Sequence, residues 1–190
     1  MYNHQQKDPI RIYMRSASAH NVPFVPGAKT RRRPNPTTAD WGLTPLAPRT
    51  DGERFSACAV SRMYKGLAMR RDVRVGADGM IEIEDAVLEG EPRRLYSLWH
   101  VPRNKRVRLI RNGALVIGTG KRMRIEVEDL TAPGPIGRAR YIGRAHERFW
   151  SLHSPTFNVC VGSAVIVFGP LAGRTQRYRI GFEDLSNKTP

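Results

Sequence analysis

Arginine is the residue whose spacing in this chain could do chemistry. In Arg106–Leu109 and Arg122–Glu128 it takes alternate positions: Arg106, Arg108, Arg122 and Arg124. A period of two projects these side chains from one face of a β-strand, with Val107, Leu109, Met123, Ile125 and Val127 on the other. Arg103, Lys105 and Lys121 flank the same runs. Further groups are Arg31-Arg32-Arg33, followed by Pro34 and Pro36, and Arg140, Arg144 and Arg148 at a spacing of four. A guanidinium fork binds an oxyanion bidentately, so such clusters predict contact with a backbone of repeating negative charge. Tyr96 and Tyr141 lie beside arginines, where a base could stack while its phosphates are neutralised.

Groups suited to proton transfer or metal binding are scattered. The histidines His4, His20, His100, His146 and His153 form no HExxH pattern, and no pairing of one with a nearby cysteine or carboxylate suggests a metal site. Cys58 and Cys160 are too few for a disulfide scaffold or an all-cysteine zinc site. GxSxG, a phosphate loop and GxGxxG are all missing; Gly118-Thr-Gly-Lys121 sits where a hairpin turn is expected. A metal-independent ribonuclease would need His20 or His146 near Tyr13 and arginine, and no spacing brings them together. The expectation is a non-enzymatic protein without cofactor or metal.

Composition points the same way. The chain has 190 residues, enough for one domain with a real core, and a net charge of +15 carried by 26 arginines against 6 lysines. Arginine favours nucleic acid as partner; a membrane surface or an acidic partner is the other reading of the charge. Residues 51–100 carry a net charge of −1 and residues 101–150 one of +8, which predicts a positive face with the acidic stretch Glu82–Glu91 turned away or set against a basic neighbour. With no apolar run long enough to span a bilayer and no leader-like start, the expectation is a cytoplasmic protein without membrane contact.

The elements that must position these residues follow from pattern. Ile10–Arg15 alternates and predicts a first strand. Residues 16–49 are proline-rich and basic, a loop or arm. Thr50-Asp-Gly-Glu53 has the form of a capping box, and Phe55, Ala59, Val60, Met63, Tyr64, Leu67 and Ala68 follow at helical spacing, predicting a helix over 51–70. Asp72–Val75 and Met80–Glu84 predict a hairpin around Gly76–Gly79. Residues 93–130 predict a three-stranded meander with turns at Asn112-Gly113 and Gly118–Lys121. Residues 136–152 predict a second helix carrying the three spaced arginines; residues 156–168 and 176–182 predict strands.

Without the meander this order approximates βαββαβ, so the expected fold is α+β and β-rich, a ferredoxin-like or RNA-recognition-like core in a single domain. Residues 93–130 would be an inserted basic hairpin; an all-β barrel or jelly roll is the alternative. With Ile10–Arg15 as first strand, Asn104–Glu128 as a thumb and Tyr141-Ile-Gly-Arg-Ala-His-Glu-Arg148 as a late basic segment, the chain resembles the repeat-associated RNA-binding subunits of multisubunit CRISPR effector complexes. Val165-Ile-Val-Phe-Gly-Pro-Leu-Ala-Gly173 also resembles the KOW motif of ribosomal and transcription-elongation proteins. The function these resemblances imply is a subunit that grips RNA or single-stranded DNA among other protein subunits of a nucleoprotein assembly. The alternatives are a small viral or phage shell protein with a basic arm, the DNA-binding barrel of a mobile-element protein, and a ribosomal protein.

Overall fold

A computed structural model describes residues 9–14, 16–29, 43–45, 48–91, 94–102, 104–130, 140–142, 152–153, 161–171 and 173–185. The described chain is almost entirely β. A six-residue helix α1 (Pro9–Met14) and a 3-10 turn (Ala17–Ala19) lead into β1 (Pro23–Phe24), β2 (Leu43–Pro45), β3 (Arg49–Asp51), β4 (Arg54–Ser61), β5 (Ala68–Val75) and β6 (Ile81–Glu89). Then come β7 (Leu95–Pro102), β8 (Arg106–Ile110), β9 (Gly113–Ile117), β10 (Lys121–Asp129), β11 (Arg140–Ile142), β12 (Leu152–His153), β13 (Val161–Leu171) and β14 (Thr175–Asp184).

These strands form two antiparallel sheets. The larger runs β2-β4-β5-β6-β14-β10-β9-β8, with β3 also on β4; the smaller runs β1-β7-β13-β11, with β12 on β13. The core lies between them. Val116, Ile125, Val127, Tyr178 and Ile180 of the larger sheet meet Leu95, Trp99, Val101, Ile166 and Phe168 of the smaller. Trp99 and Tyr178 pack ring to ring at 5.3 Å, and the Trp99 indole N–H donates to the Ser97 hydroxyl at 3.0 Å. Burying aliphatic and Phe side chains of this kind contributes roughly 1.5–3 kcal/mol apiece. Leu98, Val165 and Val167, on the opposite face of β7 and β13, are buried as well, so those two strands are apolar on both sides.

An ion pair ties the layers at one end. Arg71 grips Asp85 with two bonds of 2.7 Å and donates a third to the Asn21 carbonyl. The Asn21 side-chain oxygen in turn accepts the His100 amide of β7. Burial acts to lower the Arg71 pKa, but its bonds to Asp85 outweigh that and hold the guanidinium above its ordinary value.

Several expectations are corrected. The fold is not an α+β ferredoxin-like core, nor a barrel: it is two stacked sheets. The helix expected over 51–70 is the β3–β4 hairpin followed by the start of β5. Asp51 pairs with Arg54, leaving Gly52-Glu53 as a two-residue loop, and Gly52 has φ +56° as such turns require. The Thr50–Glu53 capping pattern is therefore a hairpin tip. The strand expected at Ile10–Arg15 is α1 over its described residues; Pro9 at the first helical position has its φ preset for a helix. Of the helix expected over 136–152, residues 140–142 form β11 and Leu152 begins β12, while the rest lie outside the described residues.

Of the meander expected over 93–130, residues 106–129 form the hairpins β8–β9–β10 while 95–102 form β7 of the smaller sheet, and the unit is not an insertion. β10 pairs with β14 over nine consecutive positions, Lys121↔Asp184 to Asp129↔Gln176, so the meander continues the larger sheet. The KOW-like run lies in β13 and the following bend, inside the smaller antiparallel sheet rather than a barrel. The β5–β6 hairpin and the strand β14 stand where the pattern places them.

Candidate polyanion-binding edge

Among the described residues β8 ends the larger sheet, and its pairing fixes where the arginines stand. Arg106 lies opposite Ile117 and Arg108 opposite Leu115. Those two residues lie opposite Arg122 and Arg124. All four arginines therefore share the outer face of the sheet, while Val107, Val116, Met123 and Ile125 face the core. Gly113 makes the close β9–β10 approach feasible: a Cβ there would sit 1.9 Å from the Ile125 carbonyl oxygen. The β8–β9 loop is Arg111-Asn112, so Gly113 is required for proximity, and the turn lies one residue earlier than the Asn-Gly pattern suggests.

The four arginines differ in what they touch. Arg106 and Arg108 are exposed and have no carboxylate partner among the described residues. Arg122 is paired with Glu183, and Arg124 with Glu126 at 2.6 Å. The Arg124–Glu126 pair is open to solvent, where such contacts are worth about 0–1 kcal/mol and an arriving anion can compete for them, whereas Arg122–Glu183 is partly buried. Lys105 lays its stem beside Gly118, which has no side chain to block it, and Lys121 is exposed at the β9–β10 turn. A depression of about 290 Å³ opens on the same face, lined by Ile110, Arg111, Asn112, Leu115, Arg124 and Glu126. This is a surface of exposed forks and point charges, suited to binding sulfate, carboxylate or phosphate groups along a chain.

The other candidates are placed differently. Tyr96 is half-buried against Leu98, Val165 and Val167 and is not an open stacking platform. Arg140 and Tyr141 lie in β11, paired with Val167 and Ile166. Arg31, Arg32, Arg33, Arg103, Arg144 and Arg148 lie outside the described residues. Sequence reasoning missed Arg49, Arg54, Arg74 and Arg179, which the pairing puts on the outer face with the β8–β10 group. The clue was alternation at Arg70-Arg-Asp-Val-Arg74 and Arg177-Tyr-Arg179, to be read as strand.

Among the described residues, Tyr13, Tyr64 and His100 are engaged by the backbone, while His20 is exposed. The Tyr13 hydroxyl lies 3.5 Å from the Leu152 carbonyl, and the Tyr64 hydroxyl accepts the Val25 amide at 3.3 Å. A ring nitrogen of His100 contacts the Ser18 carbonyl at 3.0 Å. Burial, then a hydrogen bond to Asp72, raise the Cys58 pKa and disfavour its thiolate. Among the described residues no three histidines, cysteines or carboxylates cluster as a metal site. None of their helices is long and apolar enough to cross a membrane.

The sequence matches no known family, and no curated protein matches it. Solved structures do. Heparinase III superimposes with a TM-score of 0.67 at 11% identity over 98% of this chain and 27% of its own. Heparan sulfate lyase HepC from Pedobacter heparinus gives 0.69 at 12% identity over 95% and 26%. A further heparinase III gene product gives 0.67 at 14% over 95% and 26%. The chain thus spans about a quarter of the length of the structures it matches. At identity this low the likeness shows a shared fold alone. That fold corrects the expectation of an RNA-recognition subunit of a nucleoprotein complex, and with it the shell-protein, mobile-element and ribosomal alternatives. The reading as non-enzymatic also loses its basis, because the fold occurs in chains named as lyases.

Proposed function

We propose that this chain is the β-sandwich module of a polysaccharide lyase and that its basic outer face holds an acidic polysaccharide of the heparan sulfate class. The observation that carries the reading is the near-complete overlay: almost all of this chain corresponds to one part of the heparinase structures. The exposed arginines of β8 are the second support, since a sulfated uronate polymer offers the oxyanions that arginine forks fit.

A lyase breaks its polymer by β-elimination. A base removes the proton on C5 of the uronate, the C4–O4 bond breaks as the C4=C5 double bond forms, and the leaving oxygen takes a proton. The step is eased when cations neutralise the uronate carboxylate, because charge builds on that group as the C5 proton leaves. The exposed arginines of the outer face suit substrate capture.

Affinity electrophoresis through gels containing heparan sulfate or a neutral glucan tests the reading. Heparan sulfate should retard the protein, less so as salt rises, because exposed ion pairs are screened within about 10 Å at 0.1 M. The neutral glucan should have no effect. Equal mobility in both gels would overturn the proposal.

A further inference from the structure

The pairing of the larger sheet carries the cationic surface far beyond β8–β10. Two adjacent rows of the outer face can be followed across the strands. One row runs Arg108, Leu115, Arg124 and Gly181. The next runs Glu126, Arg179, Glu82, Arg74, Ser56 and Arg49. Arg54, paired with Asp51, extends the far end, and Arg106 and Arg122 flank the near end. The band therefore crosses from β8 to β3. At about 4.8 Å between strands it is roughly 34 Å long.

Its charge is one-sided. The eight arginines 49, 54, 74, 106, 108, 122, 124 and 179 face four carboxylates, Asp51, Glu82, Glu126 and Glu183. Glu82 is shared by Arg74 at 3.3 Å and by Arg177 and Arg179 at 3.6 Å each, so one negative charge cannot neutralise its neighbours. The rows beyond reverse the balance. There Glu128, Glu84 and Asp72 outnumber Arg177 and Arg70, and Arg70 is already bound to Asp72 at 2.7 Å. A depression marks each end of the band: the one beside Arg124, and a second of about 390 Å³ lined by residues that include Arg49, Arg54, Phe55 and Arg74.

We infer that this band is an extended track on which one acidic polysaccharide chain lies across the strands, from the β8 edge to the β3–β4 hairpin. The inference rests on the polysaccharide reading above and adds the route and length of the bound chain. Charge complementarity sets the occupant. A cationic strip bordered on one side by carboxylates favours a linear polyanion along its length, and the fold directs that polyanion toward the sulfated polysaccharides.

Chain length gives the test. Binding of a heparin tetrasaccharide, a heparin dodecasaccharide and a single-stranded oligonucleotide would be titrated against wild type, Arg49→Glu/Arg54→Glu and Arg106→Glu/Arg108→Glu, with circular dichroism checking that each variant is folded. The far-edge variant should weaken the dodecasaccharide at least about threefold while leaving the tetrasaccharide within about twofold, since each exposed contact is small. The near-edge variant should weaken both. If only the near-edge variant affects the dodecasaccharide, the track is wrong and the polysaccharide reading survives. If wild type binds neither oligosaccharide, that reading itself fails. Tighter binding of the oligonucleotide, lost in both variants, would make the track real but its occupant a nucleic acid, overturning the proposal.

Discussion

Strand β5 carries arginines on both faces, and the two faces use the same guanidinium differently. Arg71 points inward and grips a carboxylate that is 3% exposed, through two parallel bonds of 2.7 Å. Arg74 points outward, 59% exposed, and shares Glu82 with two other arginines. Low dielectric and bidentate geometry make the inner pair structural and deaf to salt. The outer contacts are screened, weak and exchangeable, so the same residue type is left free to meet a ligand. Burial, rather than residue identity, separates the arginines that build this protein from those that could serve it.

The sharpest way to break that contrast is to remove the inner partner. Asp85→Ala leaves Arg71 charged and largely buried without its carboxylate, and should cost about 3–5 kcal/mol of stability by denaturant unfolding. A loss below about 1 kcal/mol would mean that the inner pair is no stronger than the outer ones. The outer face should respond in binding alone. Arg106→Glu/Arg108→Glu should lower affinity for heparan sulfate about tenfold or more, equivalent to roughly 1.4 kcal/mol, with denaturant unfolding essentially unchanged. A parallel loss of stability would show those arginines to be architectural.

Alkaline pH separates the two faces without mutation. Burial raises the Tyr64 pKa above its ordinary 10.0, although the Val25 amide bonded to its hydroxyl acts to lower it. A raised folded pKa means stability that is complete below pH 10 and lost as pH climbs toward the folded value, because the unfolded chain releases the proton first. The slope is at most about 1.4 kcal/mol per pH unit for this one group. Outer arginines remain charged over that range and contribute nothing to it. Tyr64→Phe should flatten the decline measured by urea unfolding between pH 9 and 11; an unchanged slope would move the cause elsewhere.

How much of this was legible follows the same physics. The hairpin tips at Gly76–Gly79 and Gly118–Lys121 were readable, because turn glycines and period-two flanks agree there. So was Gln176–Phe182. The stretch 51–70 was not: Phe55, Ala57 and Ala59 against Ser56, Cys58 and Val60 is a strand pattern, yet all but Ser56 are apolar or nearly so, and a helical spacing can be drawn through the same residues. Asp51-Gly52 was the overlooked hairpin signal. The pairing of β10 with β14, some 50 residues apart in the chain, leaves no local trace, and it alone turns an apparent insertion into one end of the larger sheet. For the site, clustered arginine suggested a polyanion, but nothing in arginine distinguishes a phosphate from a sulfate. The proposal of a sulfated polymer rests on the resemblance of the fold.

The smallest predicted effect probes the contrast at its weakest point. Glu82 stands among Arg74, Arg177 and Arg179, so Glu82→Gln keeps the shape of the side chain while deleting the shared charge. In a buried site this would strand cations at a cost of several kcal/mol. Here Glu82 is 28% exposed and two of its arginines reach water, Arg74 at 59% and Arg179 at 52%, so the stability cost should stay within about 1 kcal/mol. The band gains one unit of positive charge, and affinity for heparan sulfate should rise about twofold, in step with a few tenths of a kcal/mol. Titration in low salt checks both signs. If affinity falls instead, Glu82 acts by holding the three guanidinium groups in position, and the outer contacts would be architectural after all.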